Sequence, residues 1–306
     1  MGVMHNHGGV ARSLKIGLAL TLGFAIFEVF TGLFAGSLAL IADAGHMLVD
    51  SAGLVLALAA TYLARRPSDI RRTYGYARVE VLVVPLHVFL MLGLSAYIVF
   101  EAIGRLGETQ RIEWPPVLLA GVVGLGLNFV VLRLLHGHAH DNLNARSAMF
   151  EVTADALGSV GVIVSALAIS LFGWTQADVV ISLVIAALIV PRALLLLRPV
   201  VSILLEGSPH GVSVEAIHAD ARTVPGVTAL HDLHVWALAP SFAALSAHVE
   251  VVSMRDCEAS ISGLTTLLRE RHGITHVTLQ PETRALHEAI ECCKYPDAAE
   301  IPAHVH

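Results

Sequence analysis

The sequence is short of charge. Charged side chains make up 14% of its 306 residues, and aromatic ones 6%, where an average soluble domain is about a quarter charged. That scarcity excludes a disordered chain, a charged coiled coil and a basic arm for nucleic acid, so no nucleic-acid partner is expected. Cysteine is scarce as well. Cys257, Cys292 and Cys293 are an odd set with two adjacent, which excludes a disulfide framework and points to reduced thiols. No P-loop, no Gly-x-Ser-x-Gly elbow and no His-Glu-x-x-His run is present; His287-Glu288 is followed by Glu291 where a zinc protease needs His. An ATP-driven pump and an enzyme are therefore not expected, nor is a prosthetic group.

What is abundant is apolar. Hydrophobic residues reach 55% and mean hydropathy is +0.71. The charge that exists is split. Residues 1–205 carry 13 Lys+Arg against 12 Asp+Glu; residues 206–306 carry 6 against 13, a net of −7. A bilayer core of about 30 Å needs roughly 20 mostly apolar helical residues. Six stretches qualify: Leu14 to Phe34, Leu38 to Leu63, Val79 to Ile103, Pro116 to Leu135, Ser147 to Phe172 and Asp178 to Leu197. Arg12 and Lys15 before the first stretch resemble a signal peptide, but five more spans follow and Glu28 lies inside the first. Basic residues favour one side. Arg12 and Lys15 precede span 1, Arg65, Arg66, Arg71, Arg72 and Arg78 fill the 2–3 loop, and Arg133 and Arg146 flank the 4–5 loop. The other side has Arg105 and Arg111. Both termini are thus expected in the cytoplasm.

The pattern changes after Glu206-Gly-Ser-Pro209. Val214 to Val224 reads as a helix, Ala229 to Leu238 and Ala243 to Val252 as strands, Asp256 to Arg271 as a helix and Thr275 to Gln280 as a strand. That order predicts a small α+β domain. The expected organisation is an N-terminal segment 1–13, a membrane all-α bundle of six transmembrane helices over 14–205, a cytoplasmic α+β domain over 206–285 and a loose tail over 286–306.

Charges inside apolar spans are costly and tend to mark ion paths. His46 and Asp50 in span 2 are four apart, as are Glu151 and Asp155 in span 5, so each pair stands on one helix face. Two such helices face to face offer one imidazole and three carboxylates, a four-coordinate site for a divalent metal. Asp43, three residues before His46, is a ligand, a partner behind the ligands or a helix-start residue. His87 in span 3 is a further polar group near the path or a packed core histidine. Carboxylates gathered in low dielectric repel one another, so the metal-free site is expected to hold protons that a metal displaces. Gly121, Gly124 and Gly126 in span 4, with Gly158 and Gly161 in span 5, allow close helix contacts.

Several runs resemble signatures of the cation diffusion facilitator family, in its bacterial zinc/cadmium/cobalt efflux branch. They are Gly36-Ser-Leu-Ala-Leu-Ile-Ala-Asp-Ala-Gly-His-Met-Leu-Val-Asp50, Tyr74-Gly-Tyr-Ala-Arg-Val-Glu-Val-Leu82, Asp155-Ala-Leu-Gly-Ser-Val-Gly161, Leu205-Glu-Gly-Ser-Pro209 and His231-Asp-Leu-His-Val-Trp236. The resemblance spans about residues 14–285. It implies a homodimer in the bacterial inner membrane with a ferredoxin-like, metallochaperone-like domain, and metal/proton antiport by alternating access. The implied cargo is Zn2+, Cd2+ or Co2+. It also implies a cytoplasmic metal site at His231, His248 and Glu282, with His234 and His276 nearby and Cys292 or Cys293 in the tail as lesser candidates. Two departures stand out. Glu151 replaces the branch's usual His, which makes the site harder and brings manganese, iron or cobalt closer; the alternative cargo is another divalent metal, Mn2+, Fe2+ or Ni2+. Ala77 replaces a loop His, which leaves Asp69 without an imidazole partner for a second loop site. The run His136-x-His138-x-His140 suits loose metal gathering or a pH-sensitive loop, and His5 and His7 stand at the N-terminus. The competing functions are a drug/proton antiporter, a membrane enzyme, or a metal sensor or scaffold without net transport.

Overall fold

The computed structural model describes residues 7–108, 110–136, 143–255 and 257–290. They divide into two compact units. The first comprises residues 1–62 and 82–198, and the second residues 63–81 and 199–306.

The first unit is built from long helices: α1 (His7–Ala35), α2 (Leu38–Ala64), α3 (Val79–Arg105), α4 (Trp114–His136), α5 (Leu143–Phe172) and α6 (Gln176–Leu204). Among the described residues, five stretches are long and apolar enough to cross a membrane: Leu38–Ala64, Val79–Arg105, Trp114–Leu134, Met149–Phe172 and Gln176–Leu204. Within α1, the part whose side chains are described is the shorter apolar stretch Ala19–Ala35. Polarity is inverted relative to a water-soluble core. The interior is lined by small residues such as Ala39, Ala42, Ala120, Ala166, Ala186 and Ala193, while Phe30, Phe34, Phe89 and Phe100 point outward. Small side chains let helix backbones approach, and large apolar ones suit a lipid solvent. Helix α2 is central. On one side it packs Ala39 and Leu40 with Val117 and Ala120 of α4 and Val162 and Ala166 of α5. On the other it packs Ala42 with Met91 and Ile98 of α3 and Ile185 and Ile189 of α6.

The start of α2 is fixed from a distance. Gly36 turns the chain with φ 72°, a region open to glycine at little cost. Asp178, at the start of α6, then caps α2. Its Oδ1 accepts from Ser37 Oγ at 2.5 Å, and its Oδ2 accepts from the N–H groups of Leu38 at 2.6 Å and Ala39 at 3.2 Å. Ser37 Oγ in turn accepts from Leu40 N–H at 3.1 Å. A carboxylate at a helix N-terminus satisfies orphan donors and suits the helix dipole.

The second unit carries α7 (Val214–Ala221), β1 (Val227–Ala239), β2 (Phe242–Val251), α8 (Cys257–His272), β3 (His276–Glu282) and α9 (Arg284–Ile290). The sheet order is β1-β2-β3, with β1 antiparallel and β3 parallel to β2. Ser213 Oγ caps α7 by accepting from Ala216 N–H. Ile217, Leu264 and Leu268 of the helices meet Val235, Leu245 and Val249 of the sheet in one apolar core. The loop between α2 and α3 belongs to this unit. Its Tyr74 packs edge-on against His276, with ring centroids 5.3 Å apart, and against Phe242 at 6.5 Å. Its Arg78 meets Glu206 at 3.6 Å. Helix α9 occupies a segment whose polar sequence suggests a tail. It forms because Arg284, Ala285, Leu286 and Glu288 are good helix formers, and His287 N–H donates to the Thr283 carbonyl at 2.9 Å.

Candidate metal centres

Within the helical unit, α2 presents His46 and Asp50 one turn apart, and α5 presents Asp155 to them. His46 Nε2 lies 3.6 Å from Asp50 Oδ2 and 3.6 Å from Asp155 Oδ1. These gaps exceed hydrogen-bonding length. They suit a shared ion, because two donors each about 2.1 Å from a tetrahedral zinc stand about 3.4 Å apart. One donor atom from each of the three residues lies within 4.8 Å of the other two. All three are buried. A cavity of about 200 Å³ opens onto His46, lined also by Asp43, Gly158, Ile185, Ile189 and Arg192.

Close packing brings the other polar groups in. Asp43 is fully inside, and a Cβ on Gly158 of α5 would collide with its carboxylate. Glycine at 158 thus sets how near α5 comes to α2. Asp43 sits behind the donor set, and its Oδ2 has no hydrogen-bond partner. The cap at α2's start is Asp178 with Ser37, so Asp43 does not act as a helix-start residue. His87 of α3 reaches Asp50 Oδ1 at 3.4 Å. It fits because Gly53 faces its ring; a Cβ there would come within 2.6 to 2.7 Å of the imidazole. Glu28 of α1 is also buried, and neither of its oxygens has a hydrogen-bond partner.

Glu151, expected as the fourth donor, lies beside Asp50 but outside the mutual 4.8 Å donor set. Its Oε1 accepts from Arg192 Nη2 at 2.7 Å. The same Nη2 lies 3.2 Å from Asp50 Oδ2, and Nη1 lies 3.2 Å from His46 Nε2. Sequence reasoning missed Arg192, one of two arginines in the apolar sixth helix, with Arg198 six residues further on.

The second centre lies in the sheet unit. His231 of β1 stands directly opposite His248 of β2. Register shifts between His231 and His234, with Asp232 at φ 49°, mark a bulge that re-aims the side chains. Glu282, at the end of β3, is fully buried. Its Oε1 meets His231 Nε2 at 2.5 Å and its Oε2 meets His248 Nδ1 at 3.1 Å. Burial alone would raise the Glu282 carboxyl; hydrogen bonds from His248 and His231 outweigh it and hold the group below the usual glutamate range. Two imidazoles and a carboxylate, within 4.8 Å of one another, are a donor set that fits zinc. Helix α9 adds His287, whose Nδ1 is 3.1 Å from Glu282 Oε1 and whose ring centre is 4.3 Å from that of His231. Its place in a polar tail segment hid it.

Other candidates fall elsewhere. His276 starts β3, six residues and about 20 Å along the strand from Glu282, and packs on Tyr74. His234 pairs with Asp232 at 3.0 Å and is half exposed. Asp69 is engaged by the N–H groups of Arg72 at 2.7 Å and Arg71 at 2.8 Å, which hold its carboxyl below the usual aspartate range. Cys292, Cys293, His5, His138 and His140 lie outside the described residues.

Comparison with known proteins agrees with both units. Residues 14–205 match the cation efflux transmembrane domain, and residues 209–284 match the cation efflux protein cytoplasmic domain. The chain is 40% identical over 304 residues to the metal cation efflux system protein CzcD of Cupriavidus metallidurans, covering 98% of this chain and 94% of that one. It is 36% identical over 293 residues to the cadmium, cobalt and zinc/H(+)-K(+) antiporter of Bacillus subtilis, covering 93% of each. It is 37% identical over 279 residues to the zinc transporter ZitB of Escherichia coli, covering 90% of this chain and 89% of that one. With both domains matched in order, the chain is an integral membrane protein of the cation diffusion facilitator family, in its bacterial zinc/cadmium/cobalt efflux branch.

Proposed function

We propose that the chain exports a divalent metal, Zn2+ first among Zn2+, Cd2+ and Co2+, in exchange for protons. The observation that carries this reading is the buried donor set His46, Asp50 and Asp155, at ion-sharing distances inside an apolar bundle. These three hold the cargo. Imidazole and carboxylate must be deprotonated to bind a metal, so loading releases protons and proton uptake favours release. No covalent step is involved. The cargo path runs through six spans with both termini in the cytoplasm, and alternating access comes from helices moving as units around the site. The protein works as a homodimer in the bacterial inner membrane, with the transmembrane domain over 14–205 and the cytoplasmic domain over 206–285. His231, His248 and Glu282 would hold an ion in the cytoplasmic domain, where it would tie β1, β2 and β3 together. The net charge of −7 over residues 206–306 draws cations to that side.

The test is growth of an efflux-deficient host on a panel of metals. The chain is expected to restore growth on zinc, and Asp50→Ala and Asp155→Ala to abolish the rescue. Rescue by the alanine variants equal to that of the unaltered chain contradicts the assignment of the site.

A further inference from the structure

Arg192 makes contacts that the exchange of metal for protons does not use. Its guanidinium touches three acidic or imidazole groups at once: Glu151 Oε1 at 2.7 Å, Asp50 Oδ2 at 3.2 Å and His46 Nε2 at 3.2 Å. A guanidinium donates hydrogen bonds and accepts none. His46 Nε2 must therefore present its lone pair to Arg192, and that lone pair is the one a metal needs. Asp50 Oδ2, the oxygen nearest His46, is shared in the same way. The guanidinium thus stands where the cargo binds, and its positive charge repels a divalent ion at that distance.

Glu151 explains where the side chain goes. The Glu151 contact is shorter than the other two by 0.5 Å (2.7 Å against 3.2 Å). It involves a residue outside the three-donor cluster. Arginine is long and jointed, and its fork holds one carboxylate while releasing another. It also lines the cavity that opens onto His46, so there is space for it to withdraw.

We propose that Arg192 is a tethered cation that competes with the metal. In the empty site it occupies His46 and Asp50. When cargo arrives it releases both and stays on Glu151, and when cargo leaves it returns and prevents rebinding. Arg192 is thus a positioning residue that sets affinity and release, and Glu151 is its parking place. This rests on the reading that His46, Asp50 and Asp155 hold the cargo.

The test uses the full chain in detergent with His231→Ala and His248→Ala in every sample, so that the cytoplasmic site does not contribute. Zinc affinity is read by competition with a chromophoric chelator, and maximal flux in proteoliposomes. Arg192→Gln and Arg192→Met are expected to tighten zinc binding by about tenfold or more while lowering maximal flux. Unchanged or weaker binding in the folded variants overturns the proposal, because a merely structural arginine would not tighten the site when removed. A second measurement needs no substitution at 192. Labelling of Arg192 by phenylglyoxal, followed by mass spectrometry, is expected to change on adding zinc; identical labelling with and without zinc overturns it. Asp155→Asn separates the two levels. If it leaves zinc binding intact, the cargo site itself is misassigned. If it abolishes binding and the Arg192 variants fail to tighten it, Arg192 alone is misread.

Discussion

Asp50 faces three partners. Its Oδ1 looks at His87 and its Oδ2 at both His46 and Arg192. A buried carboxylate is tolerable when cationic or donating groups surround it, and here they come from three different helices. The glycines that admit those groups matter as much as the groups. At Gly158 an added methyl meets the Asp43 carboxylate, whereas at Gly126 it meets nothing within 4 Å. Gly158→Ala is therefore expected to cost about 1–3 kcal/mol of stability and to depress zinc flux, while Gly126→Ala does neither. Thermal unfolding in detergent and a vesicle flux assay check both. His46, Asp50 and Asp155 were legible in the sequence because charge is rare in apolar helices and the i,i+4 spacing is local. Arg192 was not, because its meaning depends on which helix faces α2, and no local spacing encodes that. Glu151 read as a donor by the same spacing rule. Its rotation toward Arg192 is a matter of tertiary geometry.

Helix α6 connects two tasks. Asp178 at its beginning caps α2, and Arg192, fourteen residues and about 21 Å further along, reaches the donors that α2 carries. The position of α2 and the state of the metal site therefore both depend on one element. Asp178→Ala leaves Ser37 Oγ and two α2 N–H groups without their acceptor. Loss of a helix cap costs about 0.5–2 kcal/mol. The expected outcome is lower thermal stability with zinc binding weakened, and Asp178→Asn, which keeps one acceptor oxygen, should fall between. The long helices were readable from hydropathy, and the α-β-β-α-β order from alternation and turn residues. The bulge at Asp232 and helix α9 were not. A bulge is decided by pairing with β2, and α9 has no apolar stripe strong enough to announce it.

The whole molecule joins an inverted-polarity helical unit to an acidic sheet unit, and each gathers a separate donor set from distant parts of the chain. The scarcity of charge that marks the sequence has a physical use. In the helical unit the few buried charges converge on α2, where a divalent ion and protons exchange for the same groups. In the sheet unit His231, His248 and Glu282 converge at one end of the three strands, with His287 beside them. Proton-coupled export through the α2–α5 site makes one demand that neither a scaffold nor a sensor meets. Net zinc movement must follow a proton gradient in a purified system. The most direct measurement is zinc uptake into proteoliposomes that hold a fluorescent zinc indicator and an acidic interior. Proton-coupled export predicts uptake that follows the imposed pH difference, collapses with a protonophore and disappears in Asp155→Asn. Folded protein that moves no zinc under that gradient, or moves it equally well without Asp155, would contradict it.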